Sequence, residues 1–152
     1  MIMRIRIHGV IALAALAIST AASGQSFTYT SAASAPSMVV GGVAPDGRPF
    51  GAQAFAGTSE TMMEGKAIKN TFKCVTMTQP ANDQVFSYHM MCDVAAPDGT
   101  FTSAWGCSIL GKEEASCIGR LLGQTGAYAK RGGSITGHSK GAMSVGTGQW
   151  NK

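Results

Sequence analysis

From Met38 onward, apolar and polar residues alternate in short runs, and turn-forming glycine, proline, asparagine or aspartate interrupts them about every ten residues, the rhythm of an all-β sandwich or barrel. Strands are expected near 51–59, 61–68, 70–78, 84–94 and 100–109, with Pro80, Ala81, Asn82 and Asp83 forming the turn between the third and fourth. By the two-residue period, Phe72, Cys74 and Thr76 share one strand face, and Phe86, Tyr88, Met90 and Cys92 share a face of the next. Ala-Pro-Asp-Gly occurs at 44–47 and again at 96–99. Each copy reads as a hairpin turn, because proline presets the first corner and glycine accepts the closing φ. A single turn over 112–116 is the one helical candidate, and 20 glycines make long helices costly.

The start of the chain follows a different pattern. Arg4 and Arg6 precede an unbroken apolar run from Gly9 to Ile18, and small residues follow from Ser19 to Gly24. Basic, apolar and small, in that order, is the layout of a secretory signal peptide, with cleavage expected before Gln25. The apolar run is too short for a membrane span, which needs about 20 residues. The expected organisation is a signal peptide over 1–24, a flexible Ser/Thr/Ala-rich arm over 25–37 and a barrel domain over 38–152. The mature chain is expected in the periplasm or outside the cell, with no membrane span after cleavage. Without Arg4 and Arg6 the 12 basic side chains fall to 10 against 8 acidic ones, so the net charge drops from +4 to +2. No basic stripe remains, which excludes nucleic acid as a partner.

Cys74, Cys92, Cys107 and Cys117 all lie in the mature part. In an exported chain, four cysteines read as two disulfides. Folding the hairpin about 81–83 sets Cys74 nearly opposite Cys92, and Cys107 and Cys117 flank a polar turn. The first choice is therefore 74–92 with 107–117. The alternative, 92–107 with 74–117, stays open because the turn at Pro97-Asp98-Gly99 also brings 92 near 107. There is no Cys-x-x-Cys and no paired histidine spacing, which disfavours zinc. A further alternative, a periplasmic copper-binding protein, rests on His89-Met90-Met91-Cys92 and Met62-Met63 as soft donors, but neighbouring residues of a strand point to opposite faces, so Met90 and Met91 do not readily ligate one ion.

The most distinctive stretch is Gly123-Gln124-Thr125-Gly126-Ala127-Tyr128-Ala129-Lys130-Arg131-Gly132. Physically it suits a strand, a glycine corner, one tight turn anchored by Tyr128 plugging a barrel end, and a returning strand. Gly123, Thr125, Gly126, Tyr128, Arg131 and Gly132 resemble the signature of dirigent proteins and allene oxide cyclases, which share a calycin-like eight-stranded barrel. That resemblance implies a small antiparallel β-barrel of about eight strands whose mouth holds a hydrophobic small molecule, without a cofactor, often in a homo-oligomer (a trimer or dimer). It further implies an exported isomerase, cyclase or carbon–carbon lyase acting on an aromatic or lignin-derived compound. The alternative is a noncatalytic ligand-binding or structural barrel of the envelope.

Phe72, Phe86, Met90, Phe101 and Trp105 are the candidate lining of such a cavity, with Arg131 positioned to meet a carboxylate or phenolate. The acid–base candidates are Tyr88, Glu64, His89 and Tyr128. The alternation places His89 on the face opposite Tyr88, beside Asp93 and toward Lys69 and Lys73. His138, in Gly-His-Ser-Lys-Gly, is expected in an exposed turn.

Overall fold

A computed structural model describes residues 24–43, 45, 49–78 and 85–151. The expected signal peptide, the turn at 80–83 and most of the first Ala-Pro-Asp-Gly copy lie outside the described residues. The described chain forms nine strands: β1 Gln25–Ala33, β2 Ser37–Val43, β3 Pro49–Met63, β4 Lys66–Thr78, β5 Tyr88–Ala96, β6 Gly99–Gly111, β7 Glu114–Gly123, β8 Gly132–Lys140 and β9 Met143–Trp150. One 3-10 turn, Gly126–Tyr128, joins β7 to β8. Each strand from β3 to β9 pairs antiparallel with the next, and β1 pairs with both β9 and β3, closing an eight-stranded barrel. β2 pairs with β3 outside that ring, so the β2–β3 hairpin overhangs one barrel end.

Alternation sets what faces inward. Along β4, the odd-numbered Lys69, Thr71, Lys73, Val75 and Met77 are exposed, while Asn70, Cys74 and Thr76 are buried. The same period runs round the ring and gathers Phe27, Val94, Trp105, Leu121, Ile135 and Trp150 into the core. Interior glycines seat the large rings. A Cβ at Gly148 would collide with the Phe27 ring, and one at Gly57 would collide with Phe72. Both disulfides are inward-facing cross-strand bridges, Cys74–Cys92 and Cys107–Cys117, the first of the two pairings the sequence allowed. Their Cα atoms stand 4.0 and 4.1 Å apart. Each stabilises by about 2–4 kcal/mol, chiefly by restricting the unfolded chain.

Four local expectations are corrected. Residues 25–33 are not a loose arm; they form β1, hydrogen-bonded along both edges. The break expected near residue 60 is absent, and β3 runs on to a tight turn in which Glu64 and Gly65 both take positive φ. Inward Ser59 and Thr61 blur the apolar pattern there, and the structure accommodates them because the buried Asn70 amide donates to both. The candidate helix over 112–116 is a two-residue hairpin turn with Glu113 at φ 58°. His138 sits in β8 rather than in a turn, paired with Glu114 at 3.0 Å.

Candidate functional site

The glycine corner behaves as its sequence suggests. Tyr128, 3% exposed, plugs the barrel end. Its ring packs 5.0 Å from Phe101 and 5.1 Å from Trp150, and Phe101 meets Trp150 edge-on at 5.2 Å. Arg131 lies over the Trp150 ring and donates to Gln25 Oε1 at 2.9 Å, so its guanidinium ties the corner to β1. Burial, together with the Asp98 carboxylate, pushes the Tyr128 phenol up to about 12. At neutral pH it is a protonated packing group.

The other acid–base candidates do not join it. Glu64 is exposed at the β3–β4 turn, on the rim of the same barrel end. Tyr88 and His89 open β5 at the opposite end, roughly 25 Å away at a rise of about 3.3 Å per residue. The Tyr88 hydroxyl points inward to within 3.9 Å of Cys117 Sγ, and burial raises its pKa. His89 points outward, as alternation requires. The four groups therefore occupy two ends and two faces.

The lining candidates divide similarly. Phe72, Met90 and Phe101 pack against the core, and Trp105 is buried with its indole N–H donating to Ser103 Oγ at 2.9 Å. Phe86 is a correction. It precedes β5, so strand alternation does not govern it, and its ring lies on the outer wall where a Cβ on Gly106 would stand.

Apart from Lys66, exposed at the rim where β4 begins, no inward-facing position of the described strands carries an acidic, basic or histidine side chain. The interior polar groups are neutral, notably Asn70, Thr76 and Ser103. Asn70 Nδ2 donates to Ser59, Thr61 and the Ile68 carbonyl, while its Oδ1 is buried with no partner. Two open concavities, about 480 and 510 Å³, are dishes on the outer wall. Most strands lining them contribute two outward side chains flanking one inward residue, as in Ser134-Ile135-Thr136 and Thr71-Phe72-Lys73.

The outer wall of β4–β6 gathers more chemistry than the interior. Register puts Met77 opposite His89, and His89 opposite Gly106. Met91 lies two residues from His89 on the same face, flanked by Val75 and Ala104. The Phe86 ring, seated over Gly106, meets the His89 imidazole edge-on at 5.4 Å. Met77 and Met91 are 55% and 58% exposed, which is unusual for large apolar side chains placed side by side. Sequence reading found His89 and Met91 but not Met77, because only the β4–β5 register brings it alongside. No family model, no curated protein and no solved structure matches this chain.

Proposed function

We propose that this protein is an exported, noncatalytic barrel of the cell envelope, in which the interior is a scaffold and the outer wall of β4–β6 does the binding. One observation carries the reading: the inward-facing positions of the described strands hold no group that changes charge near neutral pH. General acid–base catalysis needs a proton donor or acceptor with a pKa near the working pH, placed within reach of the substrate. The inward tyrosines are shifted the wrong way, with Tyr29 and Tyr128 pushed up to about 12 by burial. The two disulfides and the expected signal peptide support export. Among the described residues no helix is long and apolar enough to cross a membrane.

A second reading, a hydrophobic or aromatic small molecule held and transformed inside the barrel, has one observation in its favour. Asn70 Oδ1 is a buried acceptor aimed inward with no protein donor, and such atoms ordinarily pair with a water or a ligand hydroxyl. Incubating the oxidised protein with a panel of phenolic and unsaturated compounds, followed by mass spectrometry of the mixture, separates the two. The scaffold reading expects every compound to be recovered unchanged. Turnover that is lost in Asn70→Leu but kept in Met77→Leu would overturn it in favour of the lumen.

A further inference from the structure

We infer that β2, on the hairpin overhanging the barrel end, is a docking edge for a second copy of this chain, joined strand to strand in a two-fold dimer. This edge is separate from the β4–β6 wall.

Closure of the ring leaves one edge over. Each other strand is hydrogen-bonded to a neighbour on both sides, whereas β2 pairs with β3 alone among the described residues. Along an antiparallel strand the backbone groups of alternate residues point to opposite edges. The outer edge of β2 therefore presents N–H and C=O groups at the spacing of another extended backbone. Natural sheets guard such an edge with lysine, proline or a bulge. β2 has no lysine and no proline, and its one bulge lies between Met38 and Val40. From Val40 to Val43 its ladder with β3 is regular. Val39, Val40 and Val43 are 63, 65 and 68% exposed, so the strand stands open to solvent.

Charge and shape both favour the same strand from a second copy. Ser37–Val43 and the β3 segment behind it, 49–54, carry no charged side chain, so self-pairing sets no like charges together. A strand built to recognise a charged partner would carry the opposite sign. Val40 and Gly42 share the outward face, where they pair with Ala52 and Phe50 of β3. A two-fold at Gly41 sets Val40 of each copy against Gly42 of the other, so that a branched side chain meets a gap. The pairing uses up the single open edge of each barrel, and the assembly stops at two. The contact is small. A standard interface buries about 800 Å² per partner, and one strand edge with its side chains falls below that, in the range of weak encounters. The dimer is therefore expected at micromolar concentrations and above.

Sedimentation velocity of the oxidised protein from about 10 µM to about 1 mM should show a monomer–dimer equilibrium. Amide hydrogen exchange over 40–43 should slow as the dimer fills, because the outward N–H groups gain partners. Val40 is exposed, so Val40→Lys and Val40→Glu should leave the fold intact. Each alone is expected to weaken the dimer about tenfold or more, through like charges brought within reach across the two-fold. An equimolar mixture of the two variants should restore it, because the facing side chains then carry opposite charges. A monomer across the whole range overturns the proposal. So does self-association that Val40→Lys leaves unchanged, that runs past the dimer, or that forms without slower exchange over 40–43.

Discussion

The two ends of this barrel spend their aromatic residues in opposite ways. At the end closed by the 3-10 turn, Phe101, Tyr128 and Trp150 stack on one another inside the ring, and Arg131 covers the last of them. At the end where β5 begins, Phe86 lies outside, against Gly106 and His89, and the β2–β3 hairpin carries exposed Val40, Val43 and Phe50 beyond the ring. The first end removes its rings from water and so contributes stability. The second leaves apolar and soft-donor groups exposed, where they contribute little to folding and remain available to bind. The contrast is one of energetics as well as geometry, and that makes it testable.

The largest expected effect is at the closed end. Trp150 is 2% exposed and touches both other rings. Trp150→Ala should cost about 3–5 kcal/mol through lost burial and the cavity left behind. In a chain of this size that is a fall of roughly 10–20 °C in Tm by calorimetry. A fall of a degree or two would mean the end is not closed by this stack. Next comes the double variant Cys74→Ala with Cys92→Ala, expected to lose about 2–4 kcal/mol in denaturant titrations. Cys107→Ala with Cys117→Ala should cost nearly the same, because the loops closed, 18 and 10 residues, differ little on a logarithmic scale.

The closed end also predicts an alkaline limit. Tyr128 and Tyr29 are both pushed from 10.0 up to about 12, chiefly by burial. A raised folded-state pKa means that the native protein holds the phenolic proton more tightly than the unfolded chain does. Their contribution to stability is full below pH 10 and is lost as the pH rises from about 10 through about 12. Tyr128→Phe removes one titrating group and should flatten that decline in urea midpoints measured across the range. An unchanged slope would place Tyr128 in water, against its burial.

Legibility in the sequence followed the same divide. The closed end was readable because its determinants are local: Gly123 to Gly132 is one continuous stretch, and Tyr128 plugs the end as its position in that stretch predicts. The disulfides were readable because each pair flanks a single hairpin. The β3–β4 hairpin was misread because Ser59, Thr61 and Asn70 satisfy one another inside the barrel, a pairing visible only once the register is known. Phe86 was misplaced because a period of two says nothing about a residue just outside a strand. The Met77–His89 pairing was missed because its partners come from two strands, and a shift of one residue would have turned Met77 inward.

The smallest expected effect is the most informative about the outer wall. Met91→Gln and Val75→Thr exchange exposed apolar groups for polar ones of similar size, and neither side chain is buried. Their stability changes should stay within about 0.5 kcal/mol of the parent, the ordinary range for surface substitutions. Urea titration of both variants beside Trp150→Ala puts the two ends on one scale. A loss of more than about 1.5 kcal/mol from either would exceed that surface range and mean that this wall is covered in the folded protein. In that case β4–β6 would be packed on both faces, the contrast between the ends would vanish, and the exposed methionines would be structural.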